Sequence, residues 1–390
     1  MKKVRVYQEV RKMRFEELYE LRTQKRLTVT EAAELLGVHE RTFRRWSRRY
    51  KDQGEEGLGD KRLDKVAYNA APVDEVVQVL NLFQTSYPNF NVSHFYDMYR
   101  FKHEGKRSYS WVKRTLQDAG IIKKLKKKGG HRKKRDRRPT KGMMIHQDGS
   151  THEWVECKVW DLIVTMDDAD NEIYSAFFVE EEGTFSSFQG VKEVIEKHGL
   201  FCSLYTDRGT HYWHTPKAGG KVDKAHLTQF RRAMTQLGID MIAAYSPEAR
   251  GRSERMFKTL QERLPKELEL AGITDIISAN QFLRETFLPL FNKRFKVTPT
   301  ETESAFIPWK PQSLELDDIL CYQEERIVKK DNTISYKGEL LQIPRDNHRY
   351  SYQKAVVRVH HYIDDTMAIF YGHRCLGRYD KNGNLFKKAA

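Results

Sequence analysis

The sequence predicts a multidomain α+β chain: helix-turn-helix units at the N-terminus, an α/β core in the middle and a small β-barrel at the end. Three observations predict it. Apolar residues recur with helical spacing through the first third. Strand-like and helix-like runs alternate from Met143 to about Ala271. Short β-prone runs split by turns follow from about Leu316. At 390 residues the chain has room for two to four cores. The expected boundaries are 1–65, 66–121, a basic linker 122–142, a core with trailing helices 143–315, and 316–390.

Leu27 to Tyr50 reads as a helix-turn-helix. Thr28 and Glu31 have capping-box spacing, and Leu27 and Ala32 are placed for a hydrophobic staple. Ala32, Leu35 and Leu36 give an inward face, and Gly37 supplies the turn. In the next helix Phe43, Trp46 and Tyr50 share one side. Arg41, Arg44, Arg45 and Arg48 recur at i, i+3, i+4 and i+7 on the other. Aromatics inside and an arginine stripe outside suit a helix lying in a DNA major groove. His39 stands where a Ser or Thr cap is usual.

Helices are expected next at Asp74–Phe83, Ser93–Phe101 and Ser108–Ala119, with Trp111, Val112 and Leu116 inward and Lys113 and Arg114 outward. This is either a second DNA-contacting helix-turn-helix or a helical packing module. Lys123 to Lys141 then holds twelve Lys and Arg against one acid, Asp136. Such a run cannot bury a core. Lys126, Lys127, Lys128, Arg132, Lys133, Lys134 and Arg135 are therefore expected to follow a phosphate backbone. The net charge of +15 is concentrated in the first 142 residues, which points to a polyanionic partner held by the front of the protein.

The core strands are expected at Met144–Asp148, Leu162–Asp167, Tyr174–Val179, Cys202–Thr206 and Met241–Ala244. The helices are expected at Ser186–His198, Leu227–Leu237 and Arg252–Leu270, with more from Ser278 to Phe291. That order describes a mixed sheet with helices on its faces. Asp148 and Asp207 each end a strand, and Glu254 opens a long helix after a loop carrying Pro247 and Gly251.

Three acids in these settings, Met144-Ile145-His146-Gln147-Asp148-Gly149-Ser150, Leu204-Tyr205-Thr206-Asp207-Arg208-Gly209 and Tyr245-Ser246-Pro247-Glu248-Ala249-Arg250-Gly251-Arg252-Ser253-Glu254-Arg255, together with Asp161-Leu162-Ile163-Val164-Thr165-Met166-Asp167-Asp168, carry a resemblance. The chain resembles the DDE transposases of bacterial insertion sequences, of the retroviral-integrase type, ISNCY group. The resemblance covers nearly the whole chain and is strongest from about Ile145 to Leu270. It implies an RNase H-like catalytic core, magnesium dependence and DNA strand transfer, with Asp148, Asp207 and Glu254 catalytic. One departure is visible: the interval from Asp207 to Glu254 is longer than usual for the family. The extra length falls in the Gly- and Lys-bearing stretch His214 to Lys221.

Two Mg2+ ions, with Mn2+ an expected substitute, would need these oxygen ligands and would clamp the attacking and leaving oxygens of a phosphodiester. Asp148 is expected between both ions, with Asp207 and Glu254 on one each. Lys258, a turn beyond Glu254, points to the same DNA or pairs with Glu254. Arg208, Arg250, Arg252 and Arg255 are candidate phosphate clamps. Asp167 and Asp168 read as turn formers. His146, His152, His211 and His214 read as polar supports or DNA contacts, because a zinc site needs three or four convergent ligands and no cysteine joins them.

The C-terminal runs Ile334–Tyr336, Leu340–Ile343, Ala355–Val359, Met367–Tyr371 and Leu376–Tyr379 suggest a small barrel or open sheet. No run of apolar residues is long enough to span a membrane and no leader is visible. Cys157, Cys202, Cys321 and Cys375 share no CxxC spacing, as in a reduced cytoplasmic protein. The resulting expectation is a bacterial cytoplasmic transposase, associated with the nucleoid when bound to DNA. It binds the inverted-repeat ends of an element and target DNA as at least a dimer on paired ends, cuts, and joins 3′-OH ends. The rival readings are a DNA-binding regulator with an inactive core and an RNase H-like nuclease.

Overall fold

The computed structural model describes residues 2–59, 71–124, 136–216, 220–223, 225–245, 247–310 and 315–386, in two compact units, Met1–Leu80 and Asn81–Ala390. The linker residues Lys126, Lys127, Lys128, Arg132, Lys133, Lys134 and Arg135 lie outside the described residues.

The first unit adds a helix to the two expected. α1 (Lys2–Thr23) packs Phe15 and Leu18 against α2 (Val29–Leu36) and α3 (Glu40–Gln53). The capping box is formed: the Glu31 amide donates to Thr28 Oγ1 at 3.2 Å and the Thr28 amide to Glu31 Oε2 at 2.8 Å. Gly37 ends α2 with φ 69°, a conformation that costs other residues more. Leu35, expected inside, is 50% exposed, and Ala33 takes its place: the buried edge of this short helix is Ala32, Ala33 and Leu36. His39 does cap α3, its Nδ1 accepting the Arg41 amide at 3.2 Å. Phe43, Trp46 and Tyr50 face the core while Arg41, Arg44, Arg45 and Arg48 are exposed.

α4 (Val73–Ser86), α5 (Val92–Phe101) and α6 (Tyr109–Asp118) follow close to the expected places. Asn91 and Ser108 cap α5 and α6. α5 has a packing role. Its buried Asp97 accepts from Arg263 Nη1 at 2.8 Å and from Arg294 Nε at 3.1 Å, and His94 Nε2 lies 2.9 Å from Glu267 Oε1. Lys113 and Arg114 on α6 are exposed.

The core runs β1 (Ile145–Val155), β2 (Lys158–Asp167), β3 (Ile173–Val179), α7 (Thr184–His198), β4 (Ser203–Thr206), α8 (Gln229–Gln236), β5 (Asp240–Ala243) and α9 (Pro247–Leu270). The strands form one mixed sheet of order β3-β2-β1-β4-β5. β1, β2 and β3 are antiparallel neighbours, and β4 and β5 run parallel to β1. This is the element order expected for an RNase H-like layer. One face of the sheet is covered by Phe188, Val191 and Ile195 of α7 and Phe230 and Met234 of α8. The other face is covered by Met256, Leu260, Leu264 and Leu268 of α9, with help from α10 (Ile276–Phe282) and α11 (Leu288–Phe295) beyond it.

Two expectations about the core are corrected. Asp148 does not end its strand, because β1 continues through Gly149 and Ser150 to Val155 as one arm of a long hairpin with β2. Glu254 does not open its helix, because α9 starts at Pro247, a residue well suited to a first helical turn.

The C-terminal part opens with α12 (Leu316–Ile319) and β6 (Tyr322–Ile327), then the hairpin β7 (Thr333–Tyr336) and β8 (Glu339–Gln342), then β9 (Val356–His361), β10 (Met367–Tyr371) and β11 (Arg374–Tyr379). The expected barrel is not closed. The sheet has the open order β11-β10-β9-β6, and β7-β8 pair only with each other. The edge strand β6, Tyr-Gln-Glu-Glu-Arg-Ile, carries charges that discourage further pairing.

Candidate active site

The register of β1 on β4 places the first two acids together. Ile145 lies opposite Leu204 and His146 opposite Tyr205, so the chain leaving β4 at Thr206-Asp207 runs beside Gln147-Asp148. β4 pairs in turn with β5, and α9 follows directly from the same end. Carboxyl ends of parallel strands are where open α/β sheets usually bind ligands. One pocket there is lined by His146, Gln147, Asp148, Tyr205, Thr206, Asp207 and Ser253.

Glu254, next to Ser253, is exposed on α9. Gln261 Nε2 donates to Ser150 Oγ at 2.9 Å, which fastens α9 to β1 two residues beyond Asp148. Lys258 is exposed. Asp207 is held by its own turn, Oδ1 accepting the Gly209 amide at 2.8 Å. Asp148, Asp207 and Glu254 are not gathered as tightly as His214, Asp223 and His226, whose ligand atoms all lie within 4.8 Å of one another.

A fourth carboxylate, Glu182, escaped the sequence reading. It closes the run Glu180-Glu181-Glu182 ahead of α7, and its backbone amide donates to Asp161 Oδ2 at 2.7 Å. Its side chain lies over Gly149, where a Cβ would fall 2.1 Å from Oε2. On its other side His211 Nε2 is 3.4 Å from Oε1. Burial, followed by the charge of Glu182 and then of Asp148 and Asp207, drives the Tyr212 phenol well above its ordinary range. Negative charge is thus concentrated at this end of the sheet, and no lysine or arginine is among the described residues lining the pocket. Oxygen donors with that excess charge fit hard divalent cations.

The expected arginine clamps are partly committed elsewhere. Arg252 pairs with buried Asp168, which also takes His146 Nε2 at 2.8 Å and the Arg138 amide at 2.8 Å. Burial alone would raise the Asp168 carboxyl, but these donors hold it below the usual carboxylate range. Arg137 Nη1 reaches the Asp168 carbonyl at 3.0 Å and Asn171 Oδ1 at 2.8 Å, so the end of the basic linker is anchored on the β2–β3 turn. Arg208 donates to the Gly220 carbonyl at 2.8 Å and lies over Tyr245. Arg255 is exposed, and the Arg250 side chain lies outside the described residues. Asp167 is a buried turn former as expected, accepting the Gly142 and Ala169 amides, and burial pushes it up to about 6.

The comparisons with known proteins agree with this layout. A family model described as a homeodomain-like domain matches residues 9–59, the three-helix front unit. The y4bF protein of Sinorhizobium fredii (strain NBRC 101917 / NGR234), whose name assigns it as a transposase, is 27% identical over 346 residues, 88% of this chain and 75% of its own length. The transposase for insertion sequence IS1202 of Streptococcus pneumoniae is 26% identical over 338 residues, 78% of this chain and 72% of its own. The HTLV-2 integrase catalytic core domain, solved in complex with magnesium, overlaps only loosely. Its TM-score is 0.27, with 17% identity over 38% of this chain and 89% of that one; the strand order, not that overlap, carries the fold. Similarity thus runs along most of two insertion-sequence transposases, and a homeodomain-like unit stands at the front of the chain.

Proposed function

We propose that the protein is a DNA transposase of the DDE type. It binds the terminal inverted repeats of its element, cuts at the element ends and joins the freed 3′ hydroxyls to target DNA. The observation that carries the reading is that Asp148 on β1 and Asp207, just past the end of the neighbouring β4, line one pocket, with the Glu254 helix pinned to β1 by Gln261 and Ser150. Asp148, Asp207 and Glu254 would hold two Mg2+ ions, or Mn2+ in their place. When bound, such ions relieve charge on the leaving oxygen and lower the pKa of an attacking water.

The protein's own residues supply the rest. The Gly209 amide fixes the Asp207 carboxylate, and Gly149 leaves space for Glu182 beside Asp148. Exposed Lys258 and Arg255 are available to phosphates of the bound strand. Arg41, Arg44, Arg45 and Arg48 of α3 face the major groove, Lys113 and Arg114 of α6 add backbone contacts, and the 122–142 linker follows the phosphates. Joining two ends requires at least a dimer on paired ends. No helix among the described residues is long and apolar enough to cross a membrane, and the proposed setting is the bacterial cytoplasm.

Asp148→Asn, Asp207→Asn and Glu254→Gln test the reading. Each should abolish cleavage and joining of labelled element ends in Mg2+, a barrier increase of several kcal/mol, while end binding in a gel-shift assay stays unchanged. A variant that joins at the wild-type rate removes that residue from the site. A wild-type protein that binds ends but never cuts them returns the regulator reading.

A further inference from the structure

We propose a second metal site, for a divalent transition ion of the zinc class, made by His214, Asp223 and His226 in the segment that lengthens the interval between Asp207 and Glu254. One ligand atom from each of the three lies within 4.8 Å of the other two. In a tetrahedral zinc site with bonds of about 2.0–2.1 Å the ligand atoms sit about 3.4 Å apart. Closing the gap therefore needs only small rotations, and both histidines are exposed and have room for them. Two imidazoles and one carboxylate leave a fourth position for water, and nitrogen donors favour zinc over magnesium, which takes oxygen.

The backbone prepares the set. The Asp223 amide donates to the His214 carbonyl at 2.8 Å, so these residues face each other as a β-bridge. The Ala225 amide donates to Asp223 Oδ1 at 2.7 Å and turns the chain so that His226 Nδ1 comes 2.6 Å from Asp223 Oδ2. An exposed His–Asp pair by itself stabilises a fold little. A metal would instead clasp both ends of the segment. That segment is tied to the active site by Arg208, whose Nη1 donates to the Gly220 carbonyl, and to α8 by Thr228, whose hydroxyl donates to the Tyr212 carbonyl at 3.0 Å.

The test is zinc titration of full-length, chelator-stripped protein against a chromophoric chelator, with millimolar Mg2+ present to occupy the acidic site. One ion per chain is expected at submicromolar affinity. His214→Ala, His226→Ala and Asp223→Asn should each weaken it roughly tenfold or more. His211→Ala, whose ring faces Glu182, should not. Tryptic cleavage after Lys221 should slow when zinc is added. A wild-type chain that binds no zinc overturns the proposal, as does zinc affinity unchanged in folded variants of two of the three ligands. If an alanine variant fails to fold by circular dichroism, the wild-type stoichiometry and Asp223→Asn decide.

Discussion

In the front unit Arg41, Arg44, Arg45 and Arg48 all stand in solvent, and the acid that engages one of them, Glu40, sits a turn away on the same exposed helix face, 3.2 Å from Arg44. In the core several arginines are enclosed. Arg252 is spent on buried Asp168, Arg263 on buried Asp97, and Arg137 on the carbonyls of the β2–β3 turn. The same side chain thus does opposite work in the two units. On α3 its charge is left for a ligand. In the core its charge is cancelled inside the fold, where removing one partner leaves the other buried and uncompensated. Proximity to a catalytic motif thus does not leave an arginine exposed, whereas a helical stripe with an apolar opposite face does.

The sharpest way to break this contrast is Arg252→Ala. It should destabilise the protein by about 3 kcal/mol, since His146 and the Arg138 amide still compensate part of the Asp168 charge. Urea unfolding measures it, and an unchanged midpoint would mean that Arg252 is available to DNA after all.

Next comes a pH effect from the neighbouring acid. Folding raises Asp167 from the ordinary 3.8 to about 6, chiefly through burial. Its contribution is complete below about pH 4 and is lost as pH rises through about 6. Relative to Asp167→Asn, the wild type should lose on the order of 2–3 kcal/mol between pH 4 and pH 8. A stability difference flat over that range would place the Asp167 carboxyl in an ordinary environment.

The smallest stability effect is expected on α3. Arg44→Ala and Arg45→Ala should leave unfolding within about 0.5 kcal/mol of wild type. Each should cost about 1–3 kcal/mol of discrimination between cognate and altered end sequences. Equal loss on cognate and scrambled DNA would place this helix on the backbone.

Much of this was legible in the sequence because it is local. The capping box at Thr28 and Glu31, the apolar strand runs and the Leu260–Leu264 face of α9 each declare themselves within a few residues. What was missed depends on partners far along the chain or on competing local signals. Gly149-Ser150 looks like a turn, yet pairing with Ile163 and Leu162 keeps β1 extended past Asp148. β6 mixes charges with apolar residues because it is an edge, so its alternation is faint. Glu182 meets Gly149 and His211 only in the folded sheet. His214 meets Asp223 and His226 only where the folded chain returns them to it. α1 was overlooked although Phe15, Leu18 and Tyr19 carry helical spacing.

The grip of α5 on α9 has a consequence for how such elements can diverge. Asp97 and His94 precede the basic linker, yet they neutralise Arg263 and engage Glu267 on the helix that bears Glu254. A recombination event that exchanged recognition heads at the linker would import a new reader but strand a guanidinium inside the catalytic body. A junction ahead of Asn91 would instead keep α5 together with its partners on α9.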